Sequence, residues 1–274
     1  KKTNHNNIKL LDGSAQNLKI QTGVNAGDTM AVGFASLQTK DIGLGSRASL
    51  SSVGGTYTAD TNFGVLSAGA LLINGVAVGA SLASDDTASP ATAAAASAIA
   101  KAAAINAVAD QSGVFATVGK TTVAGTVAAG AAAAADGVVT VNGVNTATFY
   151  MSGNKEIDRE TVSKAINDIS DRTGVRAINT HDDDQGVSLV SEDGRNITLG
   201  AATGSASYAN MGLADAGTYV GSYQLSTKDG SAITVGSTVA TSQTSEIRSG
   251  IRFGTYEAGM AQAATTTRAS TAAA

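Results

Sequence analysis

The sequence predicts an α+β fold: strand-rich, elongated outer domains with two strand-helix-strand repeats and several β-hairpins. Three observations lead there. One phrase is spelled nearly twice, as AAINAVADQSGV (103–114) and as KAINDISDRTGV (164–175). Each copy lies between β-type runs, and the run before it carries Asn-Gly. The chain also holds 32 Gly, one Pro and no Trp, which suits many short elements joined by tight turns better than one large aromatic core.

The elements follow in chain order. KKTNHNNIKLL (1–11) has two lysines with no apolar stretch behind them, so it does not read as a secretory signal, and a start without Met reads as a processed chain or a fragment. LLINGVAV (71–78) is the strand run before the first repeat, and VFATVG (114–119) the run after it. The helix between them takes Ser89-Pro90 as cap and first turn, Ala104, Ile105 and Val108 as inner face, and Gly113-Val114 as stop. Residues 123–135 are Ala/Gly-rich and read as a linker.

The second repeat has VVTVNGVNTATF (138–149) before it and VRAINT (175–180) after it. Asp158 reads as its helix cap, a short carboxylate able to accept the free amide hydrogens of the first turn. Val162, Ala165, Ile166 and Ile169 recur at the helical spacing and form one apolar face. Glu160–Lys164 and Asp168–Arg172 stand four apart on the wet side. Gly174 stops the helix in the left-handed conformation, with Val175 folding back onto it. Ile166, Ile169 and their counterparts in the first helix, Ile105 and Val108, would each contribute roughly 1.5–3 kcal/mol on full burial. Helices this short are marginal alone, so each is expected to lie on a sheet made by its flanking strands. Turns are predicted at Asp12-Gly13, Asp136-Gly137, Asp193-Gly194 and Asp229-Gly230, and the clearest hairpin at GVSLVSEDGRNITLG (186–200). GLGSRAS (43–49) reads as a turn-rich loop, and AQAATTTRASTAAA (261–274) as a low-complexity tail.

Composition narrows the function. A net charge of −4 disfavours nucleic acid as a partner. With no Cys there are no disulfides, thiolate nucleophiles or Cys-zinc sites. Lys101 breaks the apolar tract 91–109, and Gly and Asp break 123–139, so no membrane span is expected. GKTT (119–122) lacks the phosphate-loop glycine, since Val stands at 114, and reads as a strand end. The contiguous carboxylates of HDDDQG (181–186) would point apart, unlike those of a calcium loop, and read as a solvated acidic turn. The two histidines, His5 and His181, belong to no zinc-protease motif, and no nucleophile elbow occurs. Glu156 and Asp158 are explained by a helix start without acid-base chemistry. No enzyme, no cofactor and no metal site is expected.

The repeated units, ING…AAINAVADQSGV and VNG…KAINDISDRTGV, resemble the "IN" motif of the outer regions of bacterial flagellins and of some hook-associated and filament-cap proteins. The residues that carry it are Asn74, Gly75, Ile105, Asn106 and Gly113 in the first unit, and Asn142, Gly143, Ile166, Asn167 and Gly174 in the second. IKLLDGSAQNLKIQTGVNAGDTM (8–30) resembles the flagellin segment after the first rod helices: Leu10, Leu11, Asp12 and Gly13 form a turn, and Ile20, Gln21, Gly23, Asn25 and Gly27 a hairpin. EDGRNITL (192–199) is a phrase common in flagellin outer domains.

The resemblance implies a structural subunit of the extracellular flagellar filament, serving motility. This chain would be its central, surface-exposed portion, and the long Gln/Asn/Ser-rich terminal helices of the family have no counterpart in it. It implies four segments: 1–50 as rod-domain hairpin, 51–125 as first outer unit, 126–245 as second outer unit with hairpins, and 246–274 as low-complexity tail. It implies other flagellin subunits, an export chaperone and the cap protein as partners, secretion through the flagellar export apparatus without a cleaved signal, self-assembly of the full-length protein, and O-glycosylation of Ser/Thr-rich surfaces. The chain alone is expected to stay monomeric. A hook-associated or filament-cap protein is the alternative within the class. A carbohydrate-binding surface adhesin is the alternative outside it, disfavoured because aromatic residues make up only 4% and show no cluster for sugar stacking.

Overall fold

The computed structural model describes residues 48–58, 63–130, 133–227, 229–239 and 242–258, with short strands at Asn4–His5, Ile8–Lys9, Leu18–Gln21, Thr29–Val32 and Ala261–Ala263. It is a strand-rich α+β protein of small, mostly antiparallel sheets. Its buried apolar residues gather in two clusters. One runs from Ala48 to Ala116 and is completed by Tyr223, Leu225, Ile233, Val235, Ile251 and Tyr256. The other lies entirely between Val123 and Ala214. The second unit is therefore inserted in the chain of the first.

Strand pairing explains the nesting. Val114–Val118, which leads into the insertion, pairs antiparallel along its length with Tyr223–Thr227, which leads out of it. The two ends of the insertion are thus held side by side. Tyr223–Thr227 also pairs with Ser49–Ser51, which in turn pairs parallel with Ala261–Ala263. The second sheet of this unit is Gly254–Tyr256, Ile233–Gly236, Leu72–Ile73 and Val76–Ala77 in spatial order. In the inserted unit, Thr121–Val123, Val187–Ser191 and Arg176–Asn179 form one sheet. Val144–Asn145, Thr140–Val141, Ile197–Leu199, Gly217–Val220 and Gly55–Thr56 form another, so the first unit lends its strand Gly55–Thr56 to the edge of the second unit's sheet.

Each long helix packs on the strand that follows it, Ala98–Asn106 on Val114–Val118 and Lys155–Asn167 on Arg176–Asn179. The preceding run is no single strand but a tight hairpin, and it belongs to a different sheet. The strands flanking each helix thus fall in two sheets rather than one, and the helix packs on the sheet of the following strand.

Several local expectations are corrected. Ser97, not Ser89-Pro90, caps the first helix, its side chain accepting from the Ala100 amide. The Ala-rich run before it forms only a short 3-10 turn, Ala94–Ala96. Asn154 caps the second helix by accepting from Glu156 and Ile157. Asp158 sits one turn inside, buried, with its carboxylate receiving the Ser152 amide and hydroxyl. Lys164 pairs with Asp168 at 2.9 Å rather than with Glu160. Val187–Ser191 and Ile197–Leu199 do not form a hairpin. They belong to different sheets: Val187–Ser191 pairs with Thr121–Val123 and Arg176–Asn179, Ile197–Leu199 pairs with Thr140–Val141 and Gly217–Val220, and the Asp193-Gly194 turn connects the two.

Asp136 and Gly137 lie inside the strand Asp136–Val138, where a side chain at 137 would meet Met211 and Phe149. The region 123–130 is not a free linker. Thr126, Ala128 and Ala129 donate their amides to Gly212, Asp183 and Ala209, and Ala128 is buried. The segment expected as tail, 246–274, begins inside the helix Ser242–Ser249, and its Ile251 and Tyr256 belong to the first core. The buried clusters change over between Ala116 and Val123 and again between Ala214 and Tyr223. Leu18–Gln21 pairs antiparallel with Thr29–Val32. Leu10, Leu11, Asp12, Gly13, Gly23, Asn25 and Gly27 lie outside the described residues, as do 43–47 of the expected loop and most of 261–274.

Candidate functional site

The ten residues singled out by the repeated phrase come together as two matched clamps. Asn74 and Gly75 have φ of 50° and 80°, and Asn142 and Gly143 have 49° and 81°. Both central residues of each turn are left-handed, as the type I′ hairpin requires. An added β-carbon would meet nothing at Gly75 or Gly143, so glycine stands there for its backbone freedom and not for space.

Each turn asparagine makes the same three bonds. Asn74 donates its amide to Thr234 O and accepts from Thr234 N, both at 2.8 Å, and its side chain donates to Ser112 O at 2.9 Å. Asn142 donates its amide to Thr198 O and accepts from Thr198 N, both at 2.8 Å, and donates to Thr173 O at 3.0 Å. The second asparagine of each unit grips the strand ten residues on. Asn106 Nδ2 donates to Ala116 O and Oδ1 accepts from Ala116 N, at 2.9 and 2.8 Å. Asn167 does the same with Ala177, at 3.0 and 2.8 Å. A primary amide presents one donor side and one acceptor side, which is what a single strand residue needs on its unpaired edge.

The helix ends match as well. A second short turn, Ala109–Ser112 or Ser170–Thr173, follows each long helix. It ends at Gly113 or Gly174, with φ of 71° and 69°. The hydroxyl just before each glycine accepts the amide just after it, Val114 from Ser112 and Val175 from Thr173. Ile105, Ile166, Val114 and Val175 are all fully buried beneath these polar bonds.

Position 101 breaks the match. Counted back from the clamp asparagine it corresponds to Val162, a fully buried apolar residue. Lys101 is equally buried, and its ammonium donates to Arg248 O at 2.6 Å and Phe63 O at 3.2 Å. Burial pulls its pKa down to about 7. The Arg248 carbonyl belongs to the last turn of Ser242–Ser249, the negative end of that helix, so the ammonium fixes it to the first unit.

Sequence reasoning missed a third, partial clamp at this helix. Gly250 has φ of 70°, the Ser249 hydroxyl accepts from Ile251 N at 3.2 Å, and Ile251 is fully buried. Three residues after the glycine, where the other units have Ala116 and Ala177, Phe253 N donates to Glu246 Oε1 at 2.7 Å. The carbonyl before the glycine is again bonded from outside, here by the Tyr223 hydroxyl at 2.8 Å. The signal was present as the triplet Ser-Gly-Ile (249–251), parallel to Ser-Gly-Val (112–114) and Thr-Gly-Val (173–175).

The acidic turn is tied down rather than free. Asp183 pairs with the buried Arg159 guanidinium of the second helix, and Asp182 accepts from Asp184 N. GKTT crosses from Val114–Val118 to Thr121–Val123, with Lys120 at the connection. His181 has φ of 57°, and His5 lies in the strand Asn4–His5. Among the described residues no helix is long and apolar enough to cross a membrane.

No protein-family model matches the chain, and no curated protein matches it significantly. Among solved structures, the flagellar cap protein FliD from Helicobacter pylori matches with a TM-score of 0.25 and 10% identity, over 77% of this chain and 80% of that one. At that TM-score the likeness carries no argument about fold or function.

Proposed function

We propose that this chain is a structural, non-enzymatic outer portion of a bacterial flagellar filament subunit. Its partners are other copies of the subunit, the export chaperone and the cap protein, and it works outside the cell. The observation that carries the reading is the matched pair of clamps. The residues through which the sequence resembles flagellin make the same hydrogen bonds to equivalent atoms in both units. A part built twice on the same polar pins is suited to holding a shape. An outer domain projecting from a polymer needs that rigidity, together with a wet surface that does not glue neighbouring filaments.

Antibody raised against this chain and applied to the source bacterium under the electron microscope tests the proposal. Label along whole filaments is the expected result. Label confined to filament tips, or to the junction at their base, assigns the chain to a cap or hook-associated protein instead. Label spread over the cell body, with capture of the chain on a glycan array, supports the adhesin reading and overturns the filament one.

A further inference from the structure

We propose that Asn74 and Asn142 are conditional modification sites, deamidating spontaneously when their turns open and protected while the clamps are closed. These are the two Asn-Gly pairs of the chain. In such a pair the glycine has no side chain to block its own backbone nitrogen. That nitrogen can attack Cγ of the asparagine and lose its proton. The bond from Cγ to Nδ2 breaks, ammonia leaves, and a five-membered succinimide remains. Water then adds to one of the two ring carbonyls and opens the ring, giving aspartate or isoaspartate. No oxidant, reductant or enzyme is needed.

Both glycines are exposed and nothing crowds them, so water reaches the turns freely. What restrains the chemistry is the side-chain amide itself. Its Nδ2 is held on Ser112 O or Thr173 O, and its Oδ1 on Thr234 N or Thr198 N. Swinging Cγ onto the glycine nitrogen breaks both bonds at once. The reaction therefore proceeds from a locally opened state, and its rate follows the population of that state.

The product does not rebuild the clamp. An aspartate at 74 or 142 has no donor for the serine or threonine carbonyl and sets a carboxylate oxygen against it. Isoaspartate also adds a methylene to the backbone of a two-residue turn. Opening long enough to react is thus recorded permanently in the chain. This inference stands whatever the chain assembles into.

The test ages the full chain in warm, mildly alkaline buffer, with and without enough urea to unfold it, and reads both sites by peptide-mapping mass spectrometry. Losing two hydrogen bonds corresponds to roughly a 5- to 30-fold rarer reactive state, so conversion in native buffer is expected to be slower by at least that factor. Rates equal within twofold, or no conversion in either buffer, overturn the proposal. In a second arm the urea-aged mixture is refolded and the native fraction is isolated by size exclusion. Deamidated chains are expected to be depleted from it. Their recovery in the same proportion as in the starting mixture overturns the claim that the clamp cannot re-form.

Discussion

The two repeated units share their polar pins but differ in what lies under them. In the inserted unit Val162 fills the core beneath the helix. In the enclosing unit Lys101 occupies the corresponding place and reaches two backbone carbonyls that come from residues 63 and 248. The apolar cluster of the inserted unit is made of its own residues, although Gly55–Thr56 of the first unit edges one of its sheets. The enclosing unit is completed by chain arriving after the insertion, and the Lys101 side chain in its core donates to that late segment. The clamps fix local shape in both, and the residue beneath them matches what it packs against: apolar neighbours in one unit, the carbonyls of residues 63 and 248 in the other.

The sharpest way to break this comparison is Val162→Lys. Without carbonyls converging on it, an ammonium in that apolar cluster is an uncompensated buried charge. Urea denaturation is expected to show a loss of about 3–5 kcal/mol. A loss no larger than that of a surface substitution would mean that the second core can receive a cation as readily as the first.

The next effect is pH-dependent and belongs to the enclosing unit. Burial lowers the Lys101 pKa from 10.5 to about 7 in the native state. Between these values the unfolded chain binds the proton and the folded chain does not, so stability rises with pH across that window and is flat below it. The expected slope is at most roughly 1.4 kcal/mol per pH unit. Burial pushes the Tyr223 phenol in the other direction, so above its unfolded value, about pH 10, stability falls again. Denaturation midpoints from pH 7 to 9 should climb for the native sequence and lose most of that climb in Lys101→Met.

The clamps should respond alike in both units. Asn106→Ala and Asn167→Ala each remove two hydrogen bonds and leave a strand amide and carbonyl unpaired, an expected loss of about 2 kcal/mol in each case. Glu246→Ala removes a single bond at the third clamp and should cost about half as much, while Glu246→Gln keeps the acceptor. A clear difference between the two asparagines would show that the matched geometry conceals unequal energetics.

The parts of this architecture that could be read from sequence are those set by local backbone chemistry. Ser/Thr-Gly-Val predicts a helix end, because few other residues tolerate the left-handed angles, whereas the Asn-Gly pairs sit in runs whose apolar pattern reads as a single strand and hides the turn. Strand partners were not legible. Val187–Ser191 and Ile197–Leu199 look like a hairpin only until Arg176–Asn179 and Gly217–Val220 compete for them. Nor could the Ala-rich run before Ser97 mark a helix start, since alanine favours helix everywhere and signals no boundary. The clamps occupy an intermediate position. Their asparagines stood out by repetition, but the grip on Ala116 and Ala177 depends on where the following strand lies.

The smallest effect separates the two glycine stops. Gly113 and Gly174 share the left-handed conformation, which an alanine adopts at a cost of about 1–2 kcal/mol. At Gly113 an added β-carbon meets nothing. At Gly174 it runs into the Arg195 guanidinium, which is held by Asp193 at 2.5 Å and donates to Thr173 O at 3.3 Å. Gly174→Ala should therefore cost more than Gly113→Ala, by the few tenths to 1 kcal/mol that a partly exposed ion pair contributes when its arginine must move. In an Arg195→Ala background that surplus should vanish, and the two stops should become energetically equivalent. If it persists, the surplus comes from the backbone of the second stop, and the two helix ends are less alike than their angles indicate.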